Sequence, residues 1–466
     1  MVNKKDKKKI IAATAAGLLY NSQSKRRDWV CKIFGKCEDK KQALDQECVT
    51  YGPYPITLQG YDGEKKNSVA YTGQIARHIL HESLKKAAGQ GNSQAMMAYF
   101  KNPNNEIDDI EILAPSGKGK FRFKQKTHGE ISTGKNLSGK IYKGSVNGWG
   151  GMTAEQIVEF MIEKAGETED GFDPTTGYDY QQLLSKFIMG AVFYYQAVDN
   201  YLGAKLEADN KPNDKPYKKG KHYTGKEHSW DEAWGYWGAP AHSLCLTAEQ
   251  NYSIAKRKDL EAADYDGDNL VDLKFEHCYS HAYYAAAFDK GGKTDYLATI
   301  NKAFIDGRNL INSAKGEILN DDQREKLKAF SIIIKENWQK VIAEAIFKYA
   351  GSTYKNIVKI QKKAFEGNDT SKEFRDYAKH WGELKGFALA LGCSSYKSEI
   401  APTLHKIIGL GPVLLNNSKV VMVDTKGYNF GSDTSNLEDY KNNMIDIQKI
   451  MLKEFDLTAR INDLIV

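Results

Sequence analysis

Residues 224–240 contain the feature that most constrains how this chain can fold. Thr224 with Glu227 forms a capping box, and Gly238 with Pro240 supplies a stop, so these residues predict one short, well-bounded helix. At about 100° per residue, one face of this motif helix is aromatic and the other is polar. The aromatic face holds Trp230, Ala233, Trp234 and Trp237, and the polar face holds His228, Asp231, Glu232 and Gly235. We expect the aromatic face to be buried in a core, and the glycine to allow another helix or a ligand to come close.

A second predicted helix, residues 377–392, carries another histidine and carboxylate. On a helical wheel, His380 and Glu383 share a face with Leu384, Phe387 and Leu391, whereas Lys379, Gly382 and Lys385 lie on the opposite side. His380 and Glu383 therefore point toward a core. A buried carboxylate is costly unless it is paired, protonated or bound to a metal, so Glu383 requires a compensating partner.

Together the two helices predict one shared transition-metal site. Facing helices in bundle cores commonly combine histidine and glutamate ligands. The predicted ligands of iron or zinc are His228, Glu232, His380 and Glu383, with Asp231 as an alternative ligand or as a hydrogen-bond partner of one. The alternative interpretation is that His228 and Glu232 form an ordinary i,i+4 pair on a solvated surface.

These stretches also carry a resemblance to a known family. The pattern His-x-Trp-Asp-Glu-Ala-aromatic-Gly-Tyr at 228–236 and the pattern His-Trp-x-Glu-x-Lys-Gly-Phe-Ala-Leu at 380–389 resemble a bacterial cell-envelope family, domain of unknown function 4856. We associate this family with the imelysin-like helical proteins. Further matches lie at 68–77, 177–184, 409–413 and 455–458, so the resemblance covers most of residues 50–463. The resemblance implies an all-helical double bundle and suggests iron or another metal as ligand, but the His-Glu-x-x-His helix of a zinc peptidase is absent from the sequence.

An acidic loop at residues 264–275 predicts a calcium site. Carboxylates stand at positions 1, 3, 5 and 9, and position 7 offers a backbone carbonyl: Asp264, Asp266, Asp268, Asp272 and Leu270. Asn269 occupies the turn position that is usually glycine, and asparagine tolerates the left-handed conformation. Because position 12 is Phe275, the usual bidentate carboxylate is missing unless Glu276 or a distant residue replaces it, so modest affinity is predicted. The alternative is an acidic turn without a bound ion.

A third histidine pair follows this loop. His277 and His281 are predicted on one helix in an i,i+4 arrangement, which is able to bind zinc or iron as a secondary metal site. The alternative interpretation is that both imidazoles are hydrogen-bonded packing residues beside Tyr284 and Phe288.

The N-terminal sequence predicts export. Residues 1–24 combine a lysine-rich start, a short apolar run and small residues at a plausible cleavage site, which indicates a signal peptide; the alternative is an uncleaved amphipathic anchor. Six cysteines follow, an even number that fits disulfides, and Cys31 with Cys37 is the predicted local pair. The alternative is free buried thiols, above all at Cys278 and Cys393. We therefore expect a periplasmic or extracellular protein without a transmembrane span in the mature chain.

Composition and patterning complete the predicted organisation. With 41% hydrophobic and 27% charged residues the chain is globular, and an excess of only six basic residues does not favour a nucleic-acid partner. The predicted class is all-α, with two tandem helical bundles. The predicted segments are an N-terminal segment at 25–66, a first bundle at 67–206, a linker at 207–226 and a second bundle at 227–466. A glycine-rich basic insert at 115–151 is expected to be a solvated excursion, or alternatively to contact phosphate or acidic glycan.

The leading prediction for function is a non-catalytic metal-binding protein of the cell envelope, handling iron or a similar transition metal with calcium as a structural ion. One alternative is a metal-dependent hydrolase in which Glu232 or Asp231 acts as general base. Another is a structural or surface-interaction protein with an envelope partner, which uses the tryptophan-rich region and binds no transition metal.

Overall fold

Side-chain caps begin several of the main helices, including the helix that the sequence predicts after Thr224. The computed structural model describes residues 48–206, 210–396, 399–432 and 436–465. Complete capping boxes start helices after Thr153, Thr224, Thr247 and Asn320. The signal peptide and the Cys31–Cys37 pair lie outside the described residues and stay predictions.

The fold is an all-α helical bundle, as predicted. The helices are α1 (Thr72–Ala88), α2 (Ser93–Lys101), α3 (His128–Ile131), α4 (Ala154–Gly166), α5 (Tyr180–Ile188), α6 (Gly225–Trp237), α7 (Ala248–Ala255), α8 (Leu260–Ala263), α9 (Ser280–Asp289), α10 (Tyr296–Ser313), α11 (Asp321–Phe365), α12 (Ser371–Leu391), α13 (Ala401–Ile408) and α14 (Leu437–Phe455). Two antiparallel ribbons accompany them: β1 (Phe172–Asp173) with β2 (Tyr178–Asp179), and β3 (Ser418–Asp424) with β4 (Gly427–Ser432). After α5 the chain continues in π-helical turns over Met189–Tyr194 and Gln196–Ala204.

The core is built on the long helix α11, which packs against α10, α12 and α14. Helix α5 packs against α12, and α1 packs against α2, α5 and α6. Elements from both predicted bundles therefore contact each other, and Val49–Val466 form one compact unit. The division into two bundles stays a prediction.

The basic insert packs more closely than predicted. Phe121 and Phe123 are almost fully buried, and their rings lie 6.3 and 5.3 Å from the His277 ring. Phe123 forms an isolated bridge to Val271 in the acidic loop. Burial of these two aromatic rings ties this part of the insert to the loop, so the insert is not solvated throughout.

The four cysteines within the described residues divide into two groups. Cys48 and Cys245 are disulfide-bonded. Cys278 and Cys393 are free and buried, which confirms the alternative interpretation for these two residues. Within the part of the chain that the structure describes, no helix has both the length and the apolar character needed to cross a membrane.

Candidate functional site

The motif helix, α6, forms as predicted. Thr224 Oγ1 accepts a hydrogen bond from the Glu227 amide at 3.1 Å, and Glu227 Oε2 accepts one from the Thr224 amide at 2.8 Å. Gly238 ends the helix in the left-handed conformation, with φ of 83°. At Gly235 a β-carbon would lie 2.7 Å from Gln74 Cβ, so this glycine is what lets α1 approach.

The aromatic face of α6 is fully inside the protein. The exposed fractions of Trp230, Trp234 and Trp237 are 0–1%. Trp230 Nε1 donates to the Phe304 carbonyl at 2.8 Å, and Trp237 Nε1 donates to Asn301 Oδ1 at 2.7 Å. The three tryptophans anchor the helix and offer no surface to a partner, so the predicted use of these rings in surface interaction is wrong.

Asp231 is a structural ion-pair residue. Its Oδ1 accepts hydrogen bonds from Tyr51 OH at 2.7 Å and Arg308 Nε at 2.9 Å, and its Oδ2 accepts one from the Ala70 amide at 3.1 Å. Burial raises the pKa of Asp231, and the Arg308 charge opposes that rise. With its oxygens occupied by donors in a closed interior, this carboxylate is available neither as a metal ligand nor as a general base.

Arg308, on α10, is the residue that sequence reasoning missed. Its Nη1 lies 3.2 Å from Glu227 Oε1, and its Nη2 donates to Ser68 Oγ at 2.7 Å. The side chains of Arg308, Glu227 and Asp231 are all fully buried. Burial opposes the charge of Arg308, but the two carboxylates outweigh it and raise the pKa of the guanidinium. The cluster locks α6 to α10 and to the N-terminal segment.

Glu232 and His228 remain partly unsatisfied. Glu232 Oε1 accepts hydrogen bonds from Gln74 Nε2 at 2.8 Å and from Tyr201 OH at 3.0 Å. Its Oε2 and the His228 Nδ1 are buried atoms without a hydrogen-bond partner. His228 Nε2 lies 3.6 Å from Glu232 Oε2, outside hydrogen-bonding distance. Burial lowers the pKa of His228 to about 4, so the imidazole is neutral at pH 7. This pair is therefore not an ion pair on a solvated surface.

The second predicted pair lies in a separate network. His380 Nδ1 lies 2.6 Å from Asn356 Oδ1. Glu383 Oε1 lies 3.9 Å from Lys186 Nζ, and both side chains are less than 10% exposed. Burial lowers the pKa of Lys186 well below its ordinary value, and Glu383 partly offsets this lowering. Glu383 is thus paired with a buried lysine rather than with the histidine or glutamate of α6.

The four predicted transition-metal ligands do not converge. Among the described residues, one group of three or more histidine, cysteine, aspartate or glutamate side chains places its ligand atoms within 4.8 Å of one another, and it lies in the acidic loop. The prediction of one centre formed by His228, Glu232, His380 and Glu383 is wrong, because each pair is held by different partners. Binding of iron or zinc elsewhere stays a prediction.

The converging group is Asp264, Asp266 and Asp268, the first three predicted calcium ligands. Their backbone follows the predicted tight turn: Asp264 Oδ1 accepts from the Gly267 and Asp268 amides at 2.9 and 3.1 Å, and Asn269 has φ of 66°. Asp266 and Asp268 are exposed, so their oxygens are open to solvent.

The remaining loop residues have other partners. Asp272 Oδ1 accepts from Gln125 Nε2 at 2.9 Å, and Leu270 donates its amide to Asp268 Oδ1 at 2.8 Å. The carboxylate of Glu276, a predicted substitute at position 12, accepts hydrogen bonds from the Tyr265, Asp266 and Asp272 amides and so holds the loop together. Asp272 and Glu276 therefore shape the loop and lie outside the converging group.

A lysine of the basic insert competes with any cation at this loop. Lys124 Nζ lies 2.8 Å from Asp268 Oδ2 and 3.7 Å from Asp266 Oδ2. This hydrogen bond, together with one from the Leu270 amide, lowers the pKa of Asp268. The sequence predicts a basic insert, but it does not show that one of the lysines reaches the loop.

The predicted helical pair of His277 and His281 is not formed. Helix α9 begins at Ser280 after an extended Tyr279, so His277 precedes the helix and is not one turn from His281. His277 packs edge-on against Phe123 and Tyr279, and His281 packs against Trp338 at 5.5 Å. Burial lowers both pKa values to about 3. The i,i+4 zinc prediction is therefore wrong. Both imidazoles are buried packing residues, but neither nitrogen of His281 has a hydrogen-bond partner, so the hydrogen-bonded part of the alternative is wrong for that residue.

The fold and these sites define a helical-bundle protein with an acidic loop and a buried arginine–carboxylate cluster. The chain belongs to the family described as Domain of unknown function (DUF4856), whose model matches residues 61–368. No curated protein and no solved structure shows a significant match to this chain. The likeness to imelysin-like proteins stays a prediction.

Proposed function

We propose that this chain is a non-catalytic metal-binding protein of the cell envelope and that its acidic loop, residues 264–275, holds calcium. The observation that carries this proposal is the convergence of Asp264, Asp266 and Asp268. Carboxylate and carbonyl oxygens in a flexible loop are the ligands that calcium prefers. An exported location is supported by the disulfide-bonded Cys48 and Cys245, because disulfides are rare in reducing compartments.

Two alternatives have weaker support. A transition-metal function lacks a comparable ligand cluster within the described residues. A hydrolase would need a base near a metal-bound water, and the buried Asp231 is already saturated by donors. Calcium binding therefore has the best geometric support.

Calcium is expected to stabilise the folded protein. At ten- to a hundredfold excess over the dissociation constant, binding to the native state alone adds about 1 to 3 kcal/mol. The melting temperature should rise with calcium in the parent protein and respond little in Asp266→Ala or Asp268→Ala, measured by differential scanning calorimetry after chelator treatment. Equal rises in parent and variants would contradict the assignment.

Replacing Lys124, which competes with the cation, is expected to strengthen calcium binding, whereas replacing the aspartates weakens it. Lys124→Gln should tighten calcium binding severalfold, because the ammonium group no longer neutralises Asp268. Lys326→Gln makes the same change in net charge at an exposed position on α11 and should leave the affinity unchanged. Isothermal titration calorimetry of the three proteins measures the effect, and weaker binding by Lys124→Gln would count against this loop as the site.

A further inference from the structure

We propose that the polar face of α6 and the basic residues around it form a binding site for a small polyanion that carries a hydroxyl group, of the hydroxycarboxylate or sugar-phosphate type. We call this surface the basic basin. Its basic members come from α1, the basic insert, the π-helical turns after α5 and the segment before α6: Arg77, Lys135, Lys140, Lys205 and Lys211. This inference uses residues separate from the acidic loop.

Two tyrosine rings connect Lys205 and Lys211 to Glu232 and His228. Lys205 Nζ lies 4.1 Å from the ring centre of Tyr201, whose hydroxyl donates to Glu232 Oε1. Lys211 Nζ lies 4.6 Å from the ring centre of Tyr217, and that ring lies 4.2 Å from the ring of His228. Two of the lysines therefore reach the polar face of α6, each across one tyrosine.

The other three basic members, Arg77, Lys135 and Lys140, lie on α1 and the basic insert. Arg77 Nη1 donates to the Gly73 carbonyl at 2.9 Å and its Nε donates to the Asn136 carbonyl at 2.9 Å, which fixes the guanidinium against the insert. A β-carbon placed on Gly73 would lie 2.9 Å from Lys135 Cε and 3.9 Å from Arg77 Nη1, so both side chains cover that glycine. The carbonyl of Lys140 accepts from Gln196 Nε2 at 2.8 Å, which joins the insert to the turns that carry Lys205.

Among the residues that the structure describes, the basic basin has more basic groups than acidic ones. Lys135, Lys140, Lys205 and Lys211 are half-buried, and none of the five basic members forms an ion pair within the described part of the chain. Burial lowers the pKa of Lys135, Lys140 and Lys205, and Glu232 is the acid that opposes this lowering at all three. At Lys135 a second acid, Asp108, opposes the lowering more strongly than Glu232 does. Among the described residues, the five basic groups outnumber the two acids Glu232 and Asp108, which favours an anion and disfavours a bare metal cation.

The unpartnered atoms determine what else the anion must carry. Glu232 Oε2 and His228 Nδ1 are buried without hydrogen-bond partners, and such atoms carry a desolvation cost until a partner arrives. Because a carboxylate only accepts hydrogen bonds, an anion without a donor would be repelled at Glu232. A hydroxyl group on the ligand would donate to Glu232 Oε2 while the anionic groups contact the lysines. The chemistry therefore points to hydroxylated anions over simple ones.

The test uses calorimetric titration of the full chain in the presence of EDTA, so that calcium chelation by the probe does not register. The probes are citrate and glucose 6-phosphate, each matched with an anion that lacks the hydroxyl groups: tricarballylate and methyl phosphate. We expect one hydroxylated probe to bind about tenfold or more tightly than its partner. Which probe binds distinguishes the hydroxycarboxylate from the sugar phosphate. Two results would overturn the proposal. One is equal affinity within both pairs, and the other is no binding at 10 mM, about the weakest affinity that such a titration resolves.

Single substitutions show which residues bind the preferred probe. Lys135→Gln and Lys205→Gln should each weaken the preferred probe about tenfold, whereas Lys326→Gln should not. Glu232→Gln should reduce the preference for the hydroxylated probe. Mass spectrometry of the unmodified protein after brief acetylation gives a readout that does not depend on variant folding. The preferred probe should protect Lys135 and Lys205 and leave Lys326 reactive, and equal reactivity with and without the probe would contradict the site.

Discussion

Replacing Arg308 by methionine is expected to destabilise the protein by about 3 to 5 kcal/mol, the typical cost of breaking a buried ion pair from one side. Asp231 and Glu227 would then be left as two fully buried carboxylates without their cation. Because most domains have a net stability of about 5 to 15 kcal/mol, this loss is a large share of the total. Urea unfolding followed by circular dichroism measures it as a fall in the transition midpoint.

Two controls separate this effect from a general loss of charge. Lys302→Met removes the lysine of an exposed i,i+4 pair with Asp306 on the same helix, α10, and should cost less than about 1 kcal/mol. Adding Glu227→Gln and Asp231→Asn to Arg308→Met removes the uncompensated charges and should restore part of the stability. A cost below about 1 kcal/mol for Arg308→Met alone would show that the cluster is not held as the structure indicates.

Unfolding is expected to become steeply favourable as the pH falls from about 6.5 to 5. All ten histidines have pKa values below the ordinary one, mainly because of burial. For His78, His277 and His281 the pKa is about 3, and for His128 and His228 it is about 4. In this pH range the unfolded chain binds protons that the folded protein excludes.

The sign follows from the lowered pKa values. Each buried neutral histidine contributes stability that is complete above the unfolded pKa of about 6.5 and is lost as the pH falls toward the folded pKa, at about 1.4 kcal/mol per pH unit. Buried carboxyls act in the opposite direction, because burial raises the pKa of Asp289 to about 6 and also raises those of Glu82, Asp231, Glu276 and Glu344. Because the ten histidines outnumber these five carboxyls, we expect a net uptake of protons on unfolding near pH 5, and each net proton lowers the free energy of unfolding by about 1.4 kcal/mol per pH unit.

Urea unfolding at several pH values between 7.5 and 5 measures this slope. His281→Met removes one buried imidazole whose two nitrogens have no hydrogen-bond partner, and it should lower the proton uptake by about one. The free energy of unfolding in the parent protein should fall below zero before pH 4. A free energy that stays flat from pH 7.5 to 5.5 would contradict the neutral, buried histidines.

The acidic loop and α6 show how far local patterns reach. The capping box at Thr224, the left-handed Gly238 and the buried tryptophan face were predictable, because they depend on residues within one or two helical turns. The turn of the acidic loop was predictable for the same reason, since the spacing of Asp264, Asp266 and Asp268 sets which oxygens meet. In each case the residues that decide the structure are neighbours along the chain.

The sequence by itself determined the helices, their buried faces and the converging aspartates, whereas the tertiary structure alone decided which charged groups face each other. A helical wheel shows that Glu383 points inward, but it does not show that Lys186 is its partner. It also cannot show that Asp231 pairs with Arg308, which lies on a helix distant in the sequence. Local sequence patterns likewise do not show that the basic insert contacts α1 and the acidic loop. The physical reason is that helix formation depends on local backbone and side-chain spacing, while ion pairing depends on how packed helices are oriented in space.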